Sequence, residues 1–160
     1  MAGIYAAGDC AEGKDVARGK AWVNAIWPVG VEQGRIAGWN MAGRVVANPG
    51  GLSRNVIRIF DLDVMTAGVV NPDREEPELR SVAAGNRRLG LYRKLVLRGE
   101  VPVGMALVNQ IDEGGIMMRM INETRPVSGE TVARVLYARL TVAQALGRKA
   151  DGPWSVCHSD

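Results

Sequence analysis

Apolar and polar positions change rhythm along this chain. Residues 4–7 form a short apolar run closed by Gly8 and Asp9. That is the pattern of a buried strand leading into a tight turn. Residues 11–20 are polar and glycine-bearing and read as a loop, while the mostly apolar stretch 21–27 fits either a helical turn or irregular packing. From Pro28 the rhythm becomes helical. Val31, Ile36, Trp39 and Val46 form an apolar stripe over 28–46, with Gly34 and Gly38 four apart, a spacing that lets another backbone approach. Pro28 suits the first helical residue, because it lacks the N–H that would go unused there. The run Asn48, Pro49, Gly50, Gly51 stops the helix and is the best candidate for a domain boundary.

Beyond Gly51 the period drops to two. Residues 56–60 and 64–70 read as strands joined at 61–63; 71–78 is a polar, proline-bearing loop; 81–86 is a weaker strand. Residues 91–97 and 101–108, separated by a short turn at 98–100, give the clearest hairpin in the sequence. Helical spacing then returns. Ile116, Met117, Met120 and Ile121 share one face of a helix over 112–123. Ser128 is placed to cap a second helix, whose stripe is Val132, Val135, Leu136, Leu140, Ala143 and Leu146 and whose stop is Gly147. The tail 148–160 reads as mostly irregular.

Composition narrows the classes without changing this outline. At 160 residues, 47% hydrophobic and 23% charged, the chain has globular composition. Only 5% of it is aromatic, so aliphatic residues and seven Met must fill the core. The net charge of +3 is small. Its densest basic group, Arg87, Arg88, Arg93, Lys94 and Arg98, reads as a solvated face rather than a nucleic-acid site, since Arg93 and Lys94 point to opposite faces of a strand. Two cysteines near opposite ends, Cys10 and Cys157, and the single His158 make neither a zinc site nor a disulfide scaffold. The chain suits a reducing cytoplasm. It has no secretion signal and no apolar run near the roughly 20 residues of a membrane span.

Candidate chemistry lies at two points. Asp9, just past a strand end, can accept hydrogen bonds from sugar hydroxyls, and Gly8 before it keeps the turn tight and open to a ligand. The helix start at Pro28 offers free N–H groups and a positive dipole end, suited to negative charge on a ligand. Each alone is a weak signal, because most turns and helix starts meet only water.

In combination they are more specific. The segments GIYAAGDCAE at 3–12 and WPVGVEQGRIAGWNMAG at 27–43 resemble the pyridine nucleotide–disulfide oxidoreductase superfamily, most closely its rubredoxin reductase and nitrite reductase-like NADH oxidoreductase branch. VIRIFDLDVMTAG at 56–68, YRKLVL at 92–97, VGMAL at 103–107 and IDEGGI at 111–116 continue the resemblance in order, covering residues 3 to about 123. It implies that Asp9 binds the ribityl chain of FAD, with Gly8 permitting close approach. Pro28, Val29 and Gly30 would lie at the pyrimidine edge of the flavin, with Glu32 and Gln33 lining that region less directly. Residues from about 52 onward would form a C-terminal interface domain, packed at a dimer contact or over the flavin. The chain has no GxGxxG, the loop with which this family holds the FAD pyrophosphate. Cys10 reads as a packed residue rather than a redox centre, His158 as a solvated terminal side chain, and Met117 and Met120 as core.

The expected fold is α+β: residues 1–50 as the last strand and helix of a split FAD-binding domain, 52–147 as a small, mainly antiparallel sheet with two C-terminal helices, and 148–160 as tail. The expected role is the C-terminal part of a flavoprotein moving hydride from NAD(P)H to FAD and on to an acceptor, inactive alone and not binding FAD alone. Its partners would be an N-terminal FAD/NAD(P)H-binding portion and further copies of itself, with no nucleic acid and no membrane. The alternative is a non-enzymatic oligomerisation or partner-binding module.

Overall fold

Segments of period two supply the frame of the molecule. The computed structural model describes residues 3–72, 76–137 and 155–156. Two-residue strands β1 (Gly13–Lys14) and β2 (Ala21–Trp22) pair first, followed by helix α1 (Trp27–Met41). Then come β3 (Arg54–Ile59), β4 (Leu62–Gly68), β5 (Leu79–Asn86), β6 (Leu91–Arg98) and β7 (Val101–Val108), helices α2 (Gly114–Glu123) and α3 (Gly129–Tyr137), and β8 (Ser155–Val156). β3 to β8 make one sheet in the order β3-β4-β7-β6-β5-β8, every pair antiparallel. The α+β architecture and the 91–108 hairpin match the reading of the sequence.

Register explains the core. Met65 lies opposite Leu107, Leu107 opposite Arg93, and Leu95 opposite Met105, so these side chains share the face covered by α2 and α3. Leu95, Leu107, Met117, Ile121 and Val135 are fully buried there, each burial stabilising by about 1.5–3 kcal/mol. The other face is closed at one corner by backbone crossing backbone. Gly68 faces Gly104 across the ladder. A Cβ on Gly104 would run into the Val69 carbonyl oxygen, and one on Gly68 into that of Val103.

Arg93 departs from its expected solvated role. It is 1% exposed. Its Nη1 donates to Glu113 Oε2 at 2.5 Å and to the Val135 carbonyl at 2.9 Å, and Nη2 donates to Gln110 Oε1 at 3.4 Å. The guanidinium therefore ties β6 to the 3-10 turn Ile111–Glu113 and to α3, as a buried charge needs pairing on several sides. Its neighbour Lys94 does point to the opposite face, where Nζ donates to Asn71 Oδ1 at 3.2 Å. Partial burial pushes the Lys94 amine below its ordinary value.

Several boundaries differ from expectation. β3, β4 and β5 each begin two residues before the strands read at 56, 64 and 81, and β1 and β2 lie in stretches read as loop or as helical turn or irregular packing. Residues 4–7 pair with no strand among the described residues, and Ile4 is 70% exposed. An apolar run makes a strand only where a neighbour accepts its ladder. Helix α1 stops at Met41 instead of Val46. Gly43, at φ +85°, sits just past the end; its N–H reaches the Asn40 carbonyl, and that of Arg44 reaches Trp39 at 2.9 Å, a Schellman closure. Val46 then folds back onto the helix through two bonds with the Asn40 side chain. The helix expected at 112–123 opens as the 3-10 turn before continuing as α2. Ser128 caps α3 as expected, its Oγ accepting from the Thr131 N–H at 3.2 Å. Within the tail expected to be irregular, Ser155 and Val156 pair with β5. The stripe beyond Leu136, Gly147, Cys157 and His158 lie outside the described residues.

The 48–51 turn does not stand apart from the segment before α1. Gly51 N–H donates to the Lys14 carbonyl at 2.8 Å and Val16 N–H to that of Gly51 at 2.9 Å. Arg98 Nη1 donates to the Ala17 carbonyl at 3.2 Å. The irregular segment is thus sewn to the sheet.

Candidate cofactor-binding site

The turn that carries Asp9 begins with a backbone only glycine adopts readily. Gly8 has φ +83°. Its carbonyl accepts from Ala11 N–H at 3.0 Å, closing the turn, while Cys10 Sγ donates to the Ala7 carbonyl at 3.4 Å. Asp9 is exposed beside it. Gly8 N–H reaches across 25 residues to the buried Gln33, donating to Oε1 at 2.8 Å.

Helix α1 meets this turn at its first two turns. A Cβ on Gly30 would stand 3.4 Å from Gly8 Cα, so the two glycines bring backbone against backbone. The helix head has an extended cap residue, Ile26, with no side-chain cap, and no acidic residue in the first turn. No acidic side chain of that first turn offsets its positive end. The donors are fewer than the sequence suggested. Pro28 has none, and the N–H groups of Val29 and Gly30 both donate to the Ile26 carbonyl, at 3.0 and 3.1 Å. Among the described residues the Trp27 N–H is the first-turn donor left over, and the Trp27 side chain is 80% exposed beside it.

The structure thus brings together Gly8, Asp9 and Gly30, with the partly buried Pro28 at the helix head. Val29 turns elsewhere. Its side chain is buried against Gly51, where an added Cβ would lie 2.8 Å from Cγ1. Glu32 pairs with Arg35 at 2.6 Å. Gln33, named from sequence only as a lesser lining residue, is the polar link between turn and helix. Two clefts flank it. One of about 250 Å³ lies between residues 5–6 and α1, lined also by Ala11, Ile36 and Asn40. The other, about 240 Å³, is lined by Pro28, Glu32, Asn48 and Arg54. Among the described residues no group of three or more His, Cys, Asp or Glu could hold a metal ion. No helix among them is long and apolar enough to cross a membrane.

No family model matches the chain. Nitrite reductase [NAD(P)H] of Bacillus subtilis is 28% identical to it over 159 residues, 98% of this chain and 18% of that protein. NAD(P)H sulfur oxidoreductase (CoA-dependent) of Pyrococcus furiosus is 39% identical over 67 residues, 41% of this chain and 15% of that protein. The chain therefore spans less than a fifth of the curated relatives it matches. In fold it is similar to a FAD-dependent pyridine nucleotide-disulphide oxidoreductase from Desulfovibrio vulgaris, with a TM-score of 0.64 and 20% identity over 80% of this chain and 34% of that one. It is also similar to a ferredoxin reductase from Rhodopseudomonas palustris, with a TM-score of 0.66 and 15% identity over 88% of this chain and 33% of that one.

Proposed function

Homologues and structural neighbours of this chain are FAD-dependent pyridine nucleotide-disulphide oxidoreductases, of which it matches a C-terminal portion, and we propose that it serves as such a portion of a flavoprotein that oxidises NAD(P)H. In this reading residues 1–50 complete one wall of an FAD site, and residues 52–147 form the interface domain. The partner is the FAD- and NAD(P)H-binding portion, joined in the assembled enzyme to further copies, in the cytoplasm. The observation that carries the reading is the packing of the Gly8 turn against the head of α1, Gly30 against Gly8, with Asp9 exposed as the next residue of that turn.

The residues present fit a flavin on that wall. Asp9 would accept hydrogen bonds from the ribityl hydroxyls, as an ionised carboxylate accepts only. At Gly8 an added Cβ would meet nothing, so the backbone there is bare where a ligand must come close, and Gly30 lets the turn pack against the helix. The head of α1, with Pro28 and Val29 in its first turn and the Trp27 N–H unengaged, would favour negative charge at the pyrimidine edge. FAD, when bound, supplies the acceptance of hydride from NAD(P)H and the passage of electrons to an acceptor.

One wall gives contact without retention. The chain alone is expected to emerge from gel filtration free of flavin and to show no saturable NADH turnover with added FAD. In an amide NMR titration with FAD at about 1 mM, a range suited to weak contacts, shifts are expected at Gly8 to Ala11 and at Trp27 to Val31. Saturable turnover overturns the inactivity; an unshifted Gly8 and Trp27 overturns the site.

A second reading, a non-enzymatic association module, is favoured by β3. This edge strand exposes Val56, Ile57 and Ile59, and Phe60 at its turn is 92% exposed, an apolar surface of the kind that partners cover. A monomeric mass by light scattering at high concentration would count against it.

A further inference from the structure

Gln33 joins the two halves of the proposed site, and we infer that it is a positioning residue. It fixes the turn carrying Asp9 against the head of α1, so that carboxylate and helix end meet the same ligand. The inference rests on the FAD reading above. Gln33 is only 9% exposed, lying between Val29 and Ile36 on the buried stripe of α1. An apolar side chain would pack there equally well, so a buried carboxamide needs a polar reason. Its reason is the Gly8 N–H, which donates to Oε1 at 2.8 Å. Only the oxygen of a carboxamide accepts, so the orientation of the group is dictated. The amide nitrogen on its other side abuts β1, where a Cβ on Gly13 would lie 2.9 Å from Nε2. Gln33 is thus held between two glycines.

Without this bond the Gly8 peptide regains the latitude of glycine, and Asp9, the next residue, turns with it. Gly30 stays in contact with Gly8 but exerts no directional hold. Gln33 borders both clefts beside the turn. Its effect passes through the Gly8 peptide.

The test uses the full ¹⁵N-labelled chain with FAD as the probe, and three variants. Gln33→Met keeps length and removes the acceptor; Gln33→Glu keeps an acceptor oxygen; Asp9→Asn alters the carboxylate itself. In Gln33→Met the Gly8 amide is expected to exchange with solvent about three- to tenfold faster, and the FAD concentration for half-maximal shift at Asp9 to rise by a similar factor, as for loss of one buried hydrogen bond. Thermal unfolding and the protected amides of Leu95 and Leu107 are expected to stay as they are. Gln33→Glu is expected to restore slow Gly8 exchange. If Asp9→Asn weakens the FAD response while Gln33→Met leaves it unchanged, this inference falls and the FAD reading stands. If the unaltered chain shows no FAD shifts near Gly8 and Trp27, or Asp9→Asn responds as it does, the FAD reading falls and takes the inference with it.

Discussion

Residues 3–26 and residues 54–137 are both supplied with large apolar side chains, yet they use them in opposite ways. In the sheet and its helices, Leu95, Leu97, Met105, Leu107, Met117, Ile121 and Val135 are fully buried. In the N-terminal segment, Ile4, Tyr5, Trp22 and Val23 stay exposed, and the strands are two residues long. The face of the sheet under α2 and α3 satisfies its hydrophobic pattern, although the edge strand β3 leaves Val56, Ile57 and Ile59 exposed; the N-terminal segment holds its shape by backbone bonds and side-chain clamps such as Gln33 and Asp15. Asp15 is buried and accepts from the Arg18 N–H at 2.7 Å. Stability and the proposed ligand contacts therefore reside in different parts of the chain.

That contrast can be tested, beginning where the effects are largest. Glu113→Ala would remove the carboxylate paired with the buried Arg93 guanidinium and is expected to lower stability by about 3–5 kcal/mol in urea denaturation. Leu107→Ala, which empties the centre of the core, is expected to cost about 2–5 kcal/mol. Ser128→Ala, removing the cap of α3, should cost about 1 kcal/mol. Ile4→Ser, in the exposed segment, should change stability by no more than about 0.5 kcal/mol. A loss from Ile4→Ser equal to that from Leu107→Ala would break the comparison. The smallest effect is expected from acid. Hydrogen bonding from Arg58 holds the Asp63 carboxyl below its ordinary value, and hydrogen bonding from Arg119 does the same for Glu123. Both folded values are depressed, so the stability they lend is present above the unfolded carboxylate range and is lost as pH falls through the folded values. Thermal melts should show a slight decline below about pH 4. Both groups lie on exposed surface, and salt should blunt the effect.

What could be read from sequence follows the same divide. The β6–β7 hairpin was legible because its alternation and turn are local. So was the cap at Ser128, which needs only its own next three residues. The strand expected at 4–7 failed because apolar content reports a preference for burial, whereas pairing depends on a neighbour that no local pattern describes. The overrun of α1 had a readable remedy in Gly43, passed over because Val46 kept helical step. Of the site, Gly8, Asp9, Pro28, Val29 and Gly30 were named through a resemblance, and the fold packs Gly30 against Gly8. Val29 was placed with them although its side chain faces Gly51. Gln33 was named only through the resemblance: the stripe read from sequence ran through Val31, which is 50% exposed, whereas the buried face is Val29, Gln33 and Ile36, where a polar residue needs a partner. That the partner is Gly8, 25 residues back, could only come from the fold.

The crossing of Gly68 and Gly104 has a consequence for how such a sequence can drift. Every single-nucleotide change that replaces a glycine adds at least a Cβ, and at Gly104 that carbon would meet a backbone carbonyl rather than a movable side chain. A first step away from Gly104 therefore meets fixed backbone. This corner of the sheet is held by main-chain geometry, whereas an exposed side chain such as Ile4 can be exchanged at little cost.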